Sequence, residues 1–160
     1  MLAPTEKEDL FNQILARNKG RFLFIARQYA SADEAADLYQ EILYQLWVGL
    51  DRFKGHSGLT TWAYRIALNT ASATRRNSFR RDRAWRAYRQ NVQSEQRGGR
   101  DEEGMLREFA QSLSDAERAL FTLYMTNLSD QEIAEVAGIP EPTLRVKISR
   151  LRNRFQQRYI

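Results

Sequence analysis

The stretch Ser129-Asp-Gln-Glu-Ile-Ala-Glu-Val-Ala-Gly138-Ile-Pro-Glu-Pro-Thr-Leu144-Arg-Val-Lys-Ile-Ser-Arg-Leu-Arg152 reads as two helices joined by a tight turn. Ser129 followed by Glu132 forms a capping box that opens the first helix. Gly138 supplies the residue most tolerant of the turn. Pro140 and Pro142 fall in the first turn of the second helix, where a missing N–H costs little. Ile133, Ala134, Ala137, Ile139, Leu144, Ile148, Leu151 and Phe155 fit the buried faces of two crossed helices. Arg145, Lys147, Arg150, Arg152 and Arg154 point outward. A solvated amphipathic helix would share this pattern. Turn chemistry, capping and one-sided charge together favour a helix-turn-helix whose second helix enters the DNA major groove.

Helical periodicity also dominates upstream of this segment, and strand alternation is nearly absent. Thr5 with Glu8 reads as a first capping box, opening a helix with Leu10, Phe11, Ile14 and Leu15 inward. Gly20 is expected to interrupt it before a second apolar run, Phe22 to Ala30. Ser31 with Glu34 caps a third helix carrying Leu38, Ile42, Leu46 and Leu50 at helical spacing. Phe53 to Gly58 is a loop, and a further helix begins near Thr60 or Thr61 and runs into an arginine cluster. The polar, Gly-containing stretch Ser94–Gly104 reads as a linker. A helix around Met105–Ser112 follows, and Ser114 with Glu117 caps the next one. The expected fold is all-α: two small helical domains, residues 1–90 and 105–160, joined by a flexible linker at 91–104.

Charge is distributed in blocks. Residues 1–74 carry eight basic and eight acidic side chains, whereas residues 75–89 carry seven arginines against Asp82. Residues 90–141 carry four basic and eleven acidic groups, and residues 142–160 six basic and no acidic ones. Two cationic patches separated by an acidic stretch suit a polyanion contacted at two places. The chain has no cysteine, which excludes disulfides, thiolate zinc sites and cysteine nucleophiles. His56 is the only histidine, and no catalytic triad, metal-spaced cluster or phosphate-binding glycine loop is present. No apolar run approaches the roughly 18 residues that span a bilayer, and no signal-peptide pattern opens the chain. The expectation is a non-enzymatic cytoplasmic protein with no cofactor, no metal and no membrane insertion.

Two further patterns lie in the first half. Asp37, Glu41, Tyr44 and Val48, beside Gln40, form a partly acidic stripe opposite an apolar helix face. Spacing alone fits a solvated face at least as well as a docking face for a basic partner. The loop and helix that follow mix Phe53, Lys54, His56, Ser57, Thr60, Thr61, Trp62, Tyr64, Arg65, Asn69, Arg75 and Arg76. Such a mixture suits single-stranded or melted DNA, with aromatics stacking on bases at about 1–3 kcal/mol each and cations tracking the backbone. Trp62 and Tyr64 fit core positions equally well by their spacing.

Asp33-Glu-Ala-Ala-Asp-Leu-Tyr-Gln-Glu-Ile-Leu-Tyr-Gln-Leu-Trp47, Leu50-Asp-Arg-Phe-Lys-Gly55 and Thr61-Trp-Ala-Tyr-Arg-Ile-Ala-Leu-Asn69 resemble region 2 of bacterial sigma factors. The resemblance is strongest to the two-domain extracytoplasmic-function group of the sigma-70 family. The segment from Leu113 to Phe155 resembles region 4 of that family, which ends in the same helix-turn-helix. The resemblance implies a promoter-specificity subunit with two main partners, core RNA polymerase and promoter DNA, and an anti-sigma factor as a third. It places Asp37, Gln40, Glu41 and Tyr44 at the clamp helices of the largest polymerase subunit. It places Lys54, His56, Ser57, Trp62, Arg65, Asn69, Arg75 and Arg76 at the −10 element, where the Lys54–Leu59 loop would take a flipped base. Thr143, Arg145, Lys147, Arg150 and Arg152 fall at the −35 major groove. Ala36, Tyr39, Pro142 and Val146 depart from the family pattern. Two other readings compete: a stand-alone helix-turn-helix regulator, and a sigma-like decoy for an anti-sigma factor. Asp101-Glu-Glu103 has two readings as well, as a nucleic-acid mimic in the RNA exit path or as disordered linker.

Overall fold

The computed structural model describes residues 2–86 and 101–160, and all of its regular secondary structure there is helical. Helix α1 spans Pro4–Tyr29 and α2 spans Ala35–Gly49, which runs into a 3₁₀ turn at Leu50–Arg52. Helix α3 spans Leu59–Arg86. After the undescribed residues come α4 (Glu102–Ser112), α5 (Asp115–Met125), α6 (Asp130–Ala137) and α7 (Glu141–Tyr159). The helices α1, α2 and α3 pack on one another, as do α4 to α7, and packing of α1 on α4 and of α3 on α6 joins the two halves in one continuous hydrophobic core.

In the first half, Ile14, Phe22 and Ile25 of α1 meet Leu38, Ile42 and Leu46 of α2 and Ala63, Ala67 and Ala71 of α3, all buried. The small residues of α3 let it approach closely. A Cβ added at Gly49 would lie 3.1 Å from both Ile66 Cδ1 and Trp62 Cζ2, so the end of α2 seats directly on α3. A hydrogen-bonded polar pair is built into this core. Tyr64 is fully buried and donates its hydroxyl to Asn18 Oδ1 at 2.9 Å, while Asn18 Nδ2 donates to the Ile14 carbonyl at 3.0 Å. Burial pushes the Tyr64 phenol up to about 12, so it stays a neutral donor.

Several local expectations change. Helix α1 starts at Pro4, with the Glu6 carboxylate accepting from the Ala3 N–H at 3.4 Å, so Thr5 and Glu8 do not form its cap. It passes through Gly20 without a break. Ile14, Phe22 and Ile25 keep one continuous buried face across that position, and their packing outweighs the roughly 1 kcal/mol helix cost of glycine. Ser31 makes a turn before α2 through its carbonyl rather than a side-chain cap, accepting from the N–H groups of Glu34 and Ala35. Helix α4 begins inside the expected linker. Asp101 Oδ1 accepts from Gly104 N–H at 2.8 Å, and Glu102 and Glu103 form the first turn, where acidic groups complement the helix dipole. Asp101–Glu103 is therefore the capped first turn of a helix rather than disordered linker. The rest of the expected linker, and the end of the arginine cluster from residue 87 on, lie outside the described residues.

The helix-turn-helix follows its sequence closely. Ser114 with Glu117 and Ser129 with Glu132 both form reciprocal capping boxes, at 3.1–3.3 Å. Slight burial pushes the Glu117 carboxyl up, but the Ser114 N–H and the Arg154 guanidinium at 2.9 Å outweigh it and hold the group below its ordinary value. Gly138 adopts φ +70°, and the N–H groups of Gly138 and Ile139 both donate to the Ala134 carbonyl. Pro140 sits at the N-cap of α7, one residue before the expected first turn, and Pro142 is inside that turn. Nothing lies within 4 Å of a Cβ built on Gly138. Gly138→Ala is therefore expected to cost only the left-handed backbone term, about 1–2 kcal/mol, read as a fall in the urea midpoint. A larger loss would mean a steric role for that glycine.

Candidate nucleic-acid interface

Helix α7 presents one flat buried side and one cationic side. Leu144, Ile148 and Leu151 are buried against the helices beneath, whereas Thr143, Arg145, Lys147, Arg150 and Arg152 are all exposed. Ala137, expected inward, is exposed at the end of α6. Arg145 is the most constrained of the cations. Its Nη2 donates to Glu141 Oε1 at 3.0 Å and its Nε to Asp130 Oδ2 at 3.4 Å, so two carboxylates aim the guanidinium without burying it. Val146, between Arg145 and Lys147, is an exposed apolar side chain at 51 %, a group suited to a thymine methyl in the major groove. Arg154 turns away to Glu117.

In the first half the expected residues divide among three places. Asp37, Gln40, Glu41 and Tyr44 lie on the exposed side of α2, with Tyr44 59 % exposed and Val48 beside it. Gln45 Nε2 donates to Glu41 Oε1 at 2.8 Å and steadies the stripe. A surface combining an uncovered aromatic ring, an aliphatic group and carboxylates resembles an interface centre with a charged rim. Asp37 and Glu41 also form one wall of a groove of about 730 Å³ whose other wall is α3, with Asn69, Thr70, Thr74 and Asn77. The spacing of the sequence did not show that Asn69 faces the acidic stripe across a groove.

Lys54 and His56 are exposed in the loop between the 3₁₀ turn and α3, Ser57 is half-buried, and Gly55 there has φ +75°. Trp62 is half-buried, its ring tilted against Phe53 at 5.2 Å and touching the Gly49 position. It therefore supports the loop from beneath, in keeping with its core spacing. Tyr64 is wholly core.

The remaining expected −10 cations face the other half of the chain. Arg65 Nε donates to the Val136 carbonyl at 3.2 Å and its Nη2 to the Glu135 carbonyl at 2.5 Å. Arg75 Nη2 donates to the Gln111 carbonyl at 3.4 Å, and Arg76 lies 3.7 Å from Asp115. The most deeply placed cation among the described residues, Arg118, was not singled out in the sequence. It lies on the buried face of α5 with Phe121 and Thr122, and that spacing was the available signal.

Residues 14–85 match the family model described as Sigma-70 region 2, and residues 103–155 match Sigma-70, region 4. The chain belongs to the sigma-70 family. It is a sigma factor of the extracytoplasmic-function type, a transcription-initiation protein of a family that is not catalytic. The ECF RNA polymerase sigma-E factor of Haemophilus influenzae is 25 % identical to it over 168 residues, covering 92 % of this chain and 86 % of that protein. The sigma-E factor of Escherichia coli K12 is 34 % identical over 61 residues, 38 % of this chain and 32 % of that protein. Two solved structures share the fold of this sigma factor. The sigma factor RpoE of Bartonella quintana, crystallised with the anti-sigma factor NepR, superimposes with a TM-score of 0.67 at 24 % identity, over 92 % of this chain and 94 % of that one. CnrH, solved with the cytosolic domain of CnrY, gives 0.67 at 21 %, over 92 % and 85 %. Region 2 of the sigma factor is thus α1–α3 and region 4 is α4–α7. Among the described residues no helix is long and apolar enough to cross a membrane.

Proposed function

We propose that this sigma factor docks on core RNA polymerase through the α2 stripe, reads the −10 element with the loop and helix that follow, and reads the −35 element with α7. The observation that carries the reading is the presence, in family order in one chain, of both matched regions, each with its expected face uncovered: Tyr44 and Val48 on α2, and Thr143 to Arg152 on α7. A stand-alone regulator would need the second face but not the first.

In the division of labour we assign, residues 1–90 form the polymerase and −10 unit, and α4–α7, from Glu102 on, form the −35 unit, with the connection between them. Asp37, Gln40, Glu41 and Tyr44 hold the clamp helices of the largest polymerase subunit. Lys54, His56 and Ser57 line the place for an unstacked base, supported by Trp62. Asn69 faces the −10 strand, and Arg65, Arg75 and Arg76 neutralise its phosphates. Thr143, Arg145 and Lys147 reach base edges at −35, with Arg150 and Arg152 on the backbone. An anti-sigma factor is the regulator such a protein calls for, and the cytoplasm the place where it works.

Co-elution with purified core polymerase on size exclusion tests the docking step, and a chain that binds duplex DNA but never co-elutes would overturn it. Arg145→Ala is expected to cost about 1–3 kcal/mol at one −35 base pair, with discrimination relaxed at that position. A uniform loss across all sequences would reassign Arg145 to a phosphate.

A further inference from the structure

The cations of α7 fall into three groups by what holds them. Arg154 reaches Glu117 of α5 at 2.9 Å and Arg158 reaches Glu108 of α4 at 2.6 Å, so these two fasten the helix to the rest of region 4. Lys147, Arg150 and Arg152 are exposed and take part in no hydrogen bond or ion pair among the described residues. Arg145 stands apart from both groups. It lies exposed beside Val146, yet carboxylates from two helices hold it, Glu141 Oε1 at 3.0 Å and Asp130 Oδ2 at 3.4 Å.

Stability does not account for that arrangement. The three side chains are 64 %, 39 % and 49 % exposed, and ion pairs this open to water contribute little. Their placement is more informative. Asp130 is the first residue of α6 and Glu141 the first of α7. A helix N-terminus ordinarily attracts phosphate through its free N–H groups and positive dipole end. In α7 Glu141 puts a carboxylate at that end, and Pro142 beside it has no N–H to offer. One guanidinium against two carboxylates leaves this end of the helix negative by one charge. Phosphate binding therefore falls to the cations further along, Arg150 and Arg152 foremost.

The contacts of Arg145 leave a defined edge unused. Nε donates to Asp130, and Nη2 spends one hydrogen on Glu141. Both Nη1 hydrogens and the second on Nη2 remain. A phosphate oxygen approaching Arg145 would meet two carboxylates of its own sign. Guanine O6 and N7 are uncharged acceptors that suit two N–H groups side by side. The Nη1–Nη2 edge can take them while both carboxylates stay in place. We propose that Asp130 and Glu141 are positioning residues for −35 specificity: they withhold Arg145 from phosphates and present its Nη1–Nη2 edge to a guanine. The inference rests on the −35 reading given above. A wrong sequence is then held only by the cations further along α7, and a guanine at one position adds Arg145.

The test compares the full wild-type chain with Asp130→Asn combined with Glu141→Gln, which removes both charges with little change of shape. Fluorescence anisotropy follows binding to two labelled duplexes at about 50–200 mM salt. One duplex is enriched by the wild-type chain from a randomised pool, and the other has random sequence. The double variant is expected to bind the random duplex about 5-fold tighter at about 150 mM salt, the worth of one further phosphate contact. Its slope of log affinity against log salt should steepen by about 0.9 for the same reason. Discrimination between the two duplexes falls accordingly. In an Arg145→Ala background the same two substitutions are expected to leave the slope unchanged, since no guanidinium is released. Each guanine of the enriched duplex is also replaced in turn by a deazaguanine lacking N7. One replacement is expected to weaken the wild-type chain and leave the Arg145→Ala chain unaffected. An unchanged slope in the native background, the same steepening without Arg145, or no such guanine would overturn the proposal. A wild-type chain that enriches no sequence would count against the −35 reading itself, and the slopes on random duplex would still decide what the two carboxylates do.

Discussion

Arg118→Ala is expected to destabilise region 4 by about 2–4 kcal/mol, because three hydrogen bonds from one buried charged group are lost at once. The side chain is 3 % exposed, yet every arm of the guanidinium is used. Nε donates to the Ala110 carbonyl at 2.8 Å, Nη2 to the Leu113 carbonyl at 2.6 Å and Nη1 to Asp115 Oδ1 at 2.9 Å. Ala110 and Leu113 lie at the C-terminal end of α4, where the last carbonyls have no helical partners. The guanidinium therefore acts as the C-cap of α4 and fixes the corner into α5, whose first residue is Asp115. Truncation leaves the Leu113 carbonyl without its guanidinium donor and the Ala110 carbonyl with only the Leu113 N–H, and it opens a cavity under Tyr29. Because small domains hold only about 5–15 kcal/mol in all, a loss of this size would lower the melting temperature by ten degrees or more. Arg118→Lys should recover only part of it, since one ammonium cannot reach three acceptors fixed by a planar fork. A thermal midpoint within two degrees of wild type for Arg118→Ala would show that water replaces the guanidinium and that the corner is self-sufficient.

Asp37→Ala combined with Gln40→Ala is expected to weaken association with core polymerase by roughly 30- to 1,000-fold, about 2–4 kcal/mol, while leaving the fold intact. Both side chains are exposed on α2, and neither takes part in a hydrogen bond or ion pair among the described residues. Their removal therefore costs the isolated protein little. Asp37 does lie in the first turn of α2, so a few tenths of a kcal/mol of dipole stabilisation is lost with it. The expected signature is thus a split: far-ultraviolet circular dichroism and thermal midpoint nearly unchanged, and co-elution with core lost. DNA contacts through α7 should persist, because the recognition helix belongs to the other half. An unchanged dissociation constant for core would return the stripe to an ordinary solvated face.

What the sequence made legible was local and periodic. The helix-turn-helix could be read because each of its boundaries has a chemical cause within a few residues: Ser129 with Glu132 at the start, Gly138 at the turn, Pro142 in the next first turn. The starts of α1, α2 and α4 were misplaced because Thr5, Ser31 and Met105 look like boundaries, whereas the chain uses Glu6, the Ser31 carbonyl and Asp101. Gly20 misled for a different reason, since propensity is a small term and the continuous buried face of α1 overrides it. The candidate surfaces were legible as exposed stripes at helical spacing. The contact between the two halves was not, because it joins residues about 70 positions apart, as in Arg65 with Glu135 and Val136. No local pattern announces that a cation suited to phosphate meets a helix C-terminus instead. Arg118 shows the complementary failure: an arginine on an apolar face was passed over, though its position beside Phe121 and Thr122 marked it as buried.

The decisive measurement is run-off transcription with purified core RNA polymerase on a bacterial genomic fragment library. Core alone is expected to start at no defined position, and adding this chain is expected to produce discrete start sites sharing two sequence elements with a fixed spacing. A chain that protects duplex DNA but leaves core without discrete starts would contradict the proposed function.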